Sequence, residues 1–313
     1  MVTGGIGETG ALESTEIYDP ESNQWTPAMA MALARSGHHA ILLKDGRLLV
    51  VGGPAECEIY DPTADEWRVC GELQVARSNF ALVVSGSLGI IAVGGSATDG
   101  RALSSVEHYD RGGHCWRAAA NLATARYQLS ACVLADGSVL AIGGNSGALR
   151  GCILSSCERL ATLDSPWVPT EPLAAPRHLA WGSSILGGDL LVLGGSAEGA
   201  AERYSYDSGA WRQVAPMSIS RSYFFTATQL PGGRILVCGG QGKGGHFLAD
   251  VEQFDPSTEA WEPSVSLACS RVQHTATLLQ DGTVLVAGGK SPGAKVTAKE
   301  VENMQFVQGG STT

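Results

Sequence analysis

Six arginines occupy one place in a recurring pattern. Arg35, Arg77, Arg126, Arg177, Arg221 and Arg271 each follow a tryptophan by ten positions (Trp25, Trp67, Trp116, Trp167, Trp211, Trp261). A guanidinium is a planar fork that makes paired, charge-assisted hydrogen bonds to carboxylates. The residues after the arginines differ: Ser36, Ser78, Tyr127, His178, Ser222 with Tyr223, and Val272 with Gln273. Serine and tyrosine add neutral donors, so the set reads as a site for an acidic peptide or a small carboxylated ligand. A glutamate stands nine positions before each tryptophan (Glu16, Glu58, Glu107, Glu158, Glu202, Glu252). That spacing supports an alternative, a ring of buried Arg–Glu pairs that fixes register and binds nothing.

Other chemistry is poorly supported. Gly5-Ile6-Gly7-Glu8-Thr9-Gly10 spells GxGxxG, but no helix signal follows to receive a pyrophosphate. The run 239–245, GGQGKGG, lacks the Ser or Thr of a phosphate loop and reads as a flexible loop tipped by Lys243 and His246. His38 and His39 are adjacent on a strand and point to opposite faces. None of the eight cysteines forms CxxC, and they read as buried, reduced thiols. No catalytic residue, metal site or cofactor is assigned. Trp181 and Tyr127 fall outside the register of the repeated aromatics and are further binding candidates, with the channel wall as the equal alternative for Trp181.

The elements that must position these residues repeat. Gly-Gly pairs close apolar runs at 4–5, 52–53, 94–95, 143–144, 194–195, 239–240 and 288–289. The first glycine lies 17 residues beyond each arginine, except Gly239, which lies 18 beyond Arg221. Each unit reads as four strands. Strand a starts at the arginine and ends at a tight turn, such as Asp45-Gly46, Asp136-Gly137 or Asp281-Gly282, expected to be type I′. Strand b is the apolar run. Strand c carries the glutamate and stops at Asp19-Pro20, Asp61-Pro62 or Asp255-Pro256. Strand d begins at the tryptophan. The arginines, the glutamates and the variable b–c connections therefore share one end of each sheet.

Composition agrees. Glycine numbers 41 of 313 residues with no Gly-X-Y period, which fits punctuation of many short strands. A net charge of -10 argues against a general nucleic-acid or anionic-membrane surface. No run is long and apolar enough to span a bilayer, and no signal peptide is read at Met1–Gly5. A cytoplasmic location is expected.

A four-stranded sheet with two apolar faces is stable when packed radially against copies of itself. The apolar run ending in Gly-Gly, the Tyr-Asp-Pro of strand c and the spaced tryptophan resemble kelch repeats. The resemblance implies an all-β propeller of four-stranded antiparallel blades, with six favoured and seven possible. Residues 1–313 are expected to form a single propeller. Its repeat units are approximately 1–30, 31–72, 73–121, 122–172, 173–216, 217–266 and 267–306, with a tail at 307–313. In similar kelch-like ubiquitin-ligase adaptors, which carry BTB and BACK domains ahead of the propeller, arginines at the start of strand a grip an acidic peptide. Arg77-Ser78 and Arg221-Ser222 match that arrangement best. The resemblance thus implies a protein–protein interaction module, with substrate recognition for a ligase as its finer form. Kelch folds also resemble galactose oxidase, a copper enzyme, and sialic-acid mutarotases, for which His178 beside Arg177 is a conceivable pair.

Overall fold

The computed structural model describes residues 1–110, 112–147, 152–185, 187–196, 199–292 and 301–304, the last four by backbone alone. The expected tail at 307–313 lies outside the described residues. Apolar runs such as Leu48–Val51 and Leu190–Leu193 form strand b of their sheets and are almost wholly buried. Such runs need cover on both faces, and a radial stack of sheets supplies it. The chain is accordingly an all-β propeller of antiparallel blades. Among the described residues five sheets are four-stranded and follow the order a-b-c-d, and the first and last sheets along the chain are three-stranded. The N-terminal one holds strands b, c and d (Val2–Thr3, Thr15–Asp19, Gln24–Ala28). The C-terminal one holds a, b and c (Thr275–Leu278, Val284–Ala287, Val301–Met304). Both terminal b–c stretches are thus paired, Val2 with Glu16 and Val286 with Glu302.

The described chain divides into two compact units, Met1–Pro172 and Leu173–Thr313. The first has its core between neighbouring sheets, with Val83, Ile91, Val93, Val139, Leu160 and Trp167 in one cluster. The second packs Leu191, Leu193, Ile235, Val237 and Phe254 in the same way. Trp181, expected as a binding candidate, packs against that core and serves its wall.

Aromatic pairs lock strand c to strand d. Tyr60 lies directly opposite Trp67, with ring centroids 5.0 Å apart. Phe254 and Trp261 repeat the contact at 4.9 Å. The indoles also tie successive sheets: Trp67 Nε1 donates to Met29 O and Trp167 Nε1 to Ala120 O, each at 2.8 Å.

The a–b turns differ from the expected type I′. Gly46 N donates to Leu43 O and Leu43 N to Arg47 O, while Gly46 alone in the turn has positive φ, 85°. This is a type I turn closed by a glycine bulge. The Asp45 carboxylate accepts the amide of Arg47, which holds the first half of the turn in right-handed backbone.

Candidate functional site

Each Arg–Glu pair is built at the end of its sheet where strand a begins. The five arginines from Arg35 to Arg221 are at most 1% exposed, and Arg271 is 3% exposed. Arg77 shows the arrangement. Its Nη1 donates to Gly94 O at 2.8 Å and Ser105 O at 2.9 Å, and its Nη2 to Glu107 Oε1 at 2.5 Å. Burial lowers the Arg77 pKa and Glu107 opposes that shift. The same carboxylate also holds backbone, since Glu107 accepts the amides of Gln74 and Val75, on the segment leading into strand a.

The same bonds recur. Arg35, Arg126, Arg177 and Arg221 pair with Glu58, Glu158, Glu202 and Glu252. All six arginines donate to the carbonyl of the first glycine of a Gly-Gly pair. The bonds of Arg35, Arg77, Arg126, Arg177, Arg221 and Arg271 are those of the alternative reading, in which the arginines serve the frame. The guanidiniums turn into the sheets, where buried acceptors occupy them. Spacing placed arginine and glutamate at one end but did not say which way either side chain points.

Gly-Gly has its reason in the same region. A Cβ on Gly239 would lie 2.7 Å from Arg271 O and 2.9 Å from the His274 ring, where the next sheet's strand a crosses. His274 is buried, its Nε2 lies 2.9 Å from Thr226 Oγ1, and burial pushes its pKa down to about 4.

The residues after the arginines reach the surface and divide between the units. In the first, Ser36, Ser78 and Tyr127 are half-buried at the loop end. Backbone bridges join Ser78 to Ser96 and Tyr127 to Asn145, the residues after the Gly-Gly pairs. In the second unit, Ser222 is buried, whereas His178 and Tyr223 are half-exposed and their rings stand 4.8 Å apart. Burial lowers the His178 pKa. Arg177 and His178 do not converge: the guanidinium is committed to Glu202, and the imidazole faces Tyr223.

Sequence reasoning passed over the next position along. Asn79, Gln128, Leu179, Phe224 and Gln273 all have φ between 53° and 60°. This left-handed residue turns the chain at the loop end of each strand a, and Asn79 O and Phe224 O accept the amides of Gln128 and Gln273. Gly37, at the same position one repeat earlier with φ 64°, was the available signal. The extra residue in the Arg221 repeat is a bulge between Arg221 and Tyr223, which carries Tyr223 to the rim.

Several of the described b–c connections are small hairpins. Ile6 pairs with Ala11, Ser96 bridges Ala102, and Gln241 bridges Phe247. The 239–245 run carries Lys243, exposed as expected, on a single 3-10 turn. Lys243 and Lys290 are exposed cations at the loop end of the second unit, whereas Glu8, Glu13, Glu56 and Glu72 are exposed at that of the first. Among the described residues no three His, Cys, Asp or Glu side chains are placed to hold a metal ion together. All eight cysteines are free thiols; Cys269 is exposed, and burial pushes Cys57 and Cys132 up to about 12. No described helix is long and apolar enough to cross a membrane.

Comparison with known proteins gives consistent findings. The Kelch motif family model matches residues 1–32, 76–123 and 226–267. Human Kelch-like protein 34 is 33% identical over 89 residues, which is 28% of this chain and 14% of the relative. Kelch-like protein 15 of Danio rerio is 44% identical over 46 residues, covering 15% of this chain and 8% of the relative. Human Kelch-like protein 33 is 28% identical over 131 residues, 39% of this chain and 24% of the relative. The alignments thus span a minor part of each relative's length. A fungal alcohol oxidase solved in complex with copper superposes with a TM-score of 0.75, over 92% of this chain and 67% of that one. Its identity of 20% makes the likeness one of fold alone.

Proposed function

We propose that this propeller, which matches the Kelch motif over residues 1–32, 76–123 and 226–267, is a protein-interaction module whose partner docks at the loop end of the sheets. One observation carries this reading. A buried arginine frame supports, one or two residues after each arginine, surface side chains that vary between repeats: Ser36 and Ser78, Tyr127 and Tyr223, His178 and Gln273. A constant scaffold under a varied, half-exposed set is how recognition surfaces are built on repeats. An acidic partner is met by Lys243 and Lys290 of the second unit, with the Tyr223 hydroxyl as a neutral donor; the arginines set the frame beneath. The finer role, substrate recognition for a ubiquitin ligase in the cytoplasm, is drawn from the kelch-like resemblance.

The test compares partners captured by wild type, a Tyr127→Ala/Tyr223→Ala variant, a Lys243→Glu/Lys290→Glu variant and an Asp45→Asn/Asp281→Asn control at the opposite end. Near-ultraviolet circular dichroism checks that each is folded. Loss of a shared partner in the tyrosine variant, with retention in the control, is expected. Loss with the lysine variant identifies an acidic partner. Partners unchanged in both loop-end variants sink the reading.

A further inference from the structure

One cross-strand place in the sheets carries two thiols in the second repeat. Strand c of that repeat runs over Glu56–Asp61 and strand d over Glu66–Glu72. In four other repeats the residue before the strand-c glutamate lies opposite the third residue after the strand-d tryptophan. Thr15 faces Ala28, Val106 faces Ala119, Cys157 faces Thr170 and Ala201 faces Val214. In the second repeat both places are cysteines, Cys57 and Cys70. The register there steps from Glu58 opposite Val69 to Glu56 opposite Glu72, so Cys57 stands across from Cys70 and Gly71 at a bulge. Packing fixes the bulge: Gly71 has φ 102°, and a Cβ on it would lie 2.5 Å from His114 O of the next sheet. Both thiols leave the sheet on the face away from Glu58 and enter one core cluster with Phe80, Tyr109 and Trp116. Cys57 Sγ donates to Ala55 O at 3.7 Å. Burial pushes the Cys57 thiol up to about 12 and that of Cys70 to about 11.

We propose that Cys57 and Cys70 are a redox-sensitive dithiol that hydrogen peroxide converts to a disulfide between strands c and d of the second repeat. Facing residues of antiparallel strands have Cα atoms about 4.5–5.5 Å apart, inside the range of about 4.4–6.8 Å that a disulfide spans. The side chains share a face, so the bond needs rotation of two thiols rather than movement of a strand. Exposure assigns the order of events. Cys70 is 8% exposed and Cys57 fully buried. The Cys70 thiolate attacks one peroxide oxygen, the O–O bond breaks, and the departing hydroxide takes up the thiol proton as water. Cys57 then attacks the sulfenic sulfur of Cys70, the S–O bond breaks, and a second water leaves with the Cys57 proton. One peroxide is reduced to two waters, and two thiols are oxidised to one disulfide. Burial keeps both thiols protonated, which slows the first step. The facing thiol speeds the second and captures the sulfenic acid before further oxidation. Strand d leads on to Gln74 and Val75, whose amides Glu107 accepts, so the bridge clamps that segment at its root. The dithiol lies in the core of the first unit and is independent of the loop-end reading above.

The test treats the full chain with hydrogen peroxide, alkylates it in urea and digests it with trypsin. Cleavage after Arg47, Arg68 and Arg77 places Cys57 in fragment 48–68 and Cys70 in fragment 69–77. The expected product is these two fragments joined, two hydrogens lighter than their sum and separated again by dithiothreitol. Cys269→Ser, which removes the exposed thiol, is expected to leave the yield unchanged. Cys57→Ala, once circular dichroism shows it folded, is expected to leave Cys70 as a sulfenic acid that dimedone traps. The wild type gives a second readout that needs no variant. Its thermal midpoint is expected to rise by about 5 °C on oxidation, because the link restricts the unfolded chain. The proposal is overturned if both thiols are still alkylated after prolonged exposure that has consumed Cys269. It is overturned equally if fragment 69–77 joins fragment 112–117, which carries Cys115 beside Gly71, or if the joined chain shows no rise in midpoint.

Discussion

Replacing Glu107 by alanine leaves the Arg77 charge in a place that is 1% exposed, with only neutral acceptors around it. Gly94 O at 2.8 Å, Ser105 O at 2.9 Å and Ser105 Oγ at 3.0 Å remain. Breaking a buried pair from one side costs about 3–5 kcal/mol, since the surviving ion has lost its counter-charge but not its burial. The amides of Gln74 and Val75 lose their acceptor at the same time. The double variant Arg77→Met/Glu107→Leu removes both charges and keeps most of the volume. It still orphans those amides, so its loss is expected to be about 2 kcal/mol. The double variant is then more stable than Glu107→Ala by about 1–3 kcal/mol, the reverse of what two additive losses give in a double-mutant cycle. Urea unfolding followed by circular dichroism measures the cycle, and hydrogen exchange at Gln74 and Val75 reports the local release. A loss below about 1 kcal/mol for Glu107→Ala, the size of an exposed pair, would refute the buried-frame reasoning. By the same arithmetic, a triple replacement of Arg77, Arg126 and Arg221 by alanine approaches the whole ~5–15 kcal/mol of a typical fold and is expected to unfold the protein.

Other outcomes follow from single contacts. His274 is neutral when folded, with its pKa at about 4 against 6.5 for the free side chain. Its contribution is complete above pH 6.5 and is lost as pH falls towards 4, at up to about 1.4 kcal/mol per pH unit. Phe225 packs against Gly194 much as His274 packs against Gly239, so His274→Phe is expected to flatten the acid limb of a thermal-midpoint titration. An unchanged limb would assign the acid sensitivity elsewhere, as to His38 and His39, whose pKa values burial also lowers. Gly95 has φ 106°, and a Cβ there would meet Phe80 Cβ at 2.7 Å and Ser78 O at 2.9 Å. Gly95→Ala is therefore expected to lose about 3 kcal/mol, read from the urea midpoint. Trp167 is 5% exposed, and Trp167→Ala is expected to cost about 3–5 kcal/mol in the same assay. Trp167→Phe, which loses the bond to Ala120 O, should cost about 1–2 kcal/mol.

Much of this protein was legible from spacing. A residue's neighbours along a strand and the turn residues at its ends are local facts. The apolar runs therefore announced strand b, Asp-Pro closed strand c, and Tyr60 and Trp67 came out directly opposed. Arginine, glutamate and the variable connections at one end followed from strand direction alone. Local chemistry was insufficient for the turn type, because Asp45-Gly46 suits both a type I′ turn and a type I turn with a glycine bulge, and strand twist and length choose between them. The left-handed Leu179 and Phe224 were invisible, since neither residue type favours that backbone and only packing at the loop end imposes it.

The sequence by itself determined the repeat, the strand order within each sheet and the set of residues at the loop end. Periodicity and turn chemistry act over a few residues, and six copies average out accident. Tertiary structure alone decided where the arginine side chains point. Whether Arg77 meets a partner or Glu107 depends on the burial of the guanidinium between sheets and on the amides of Gln74 and Val75 arriving beside the carboxylate. Such a cost and its compensation come from residues about 30 positions apart in sequence, and only the packed fold brings them together.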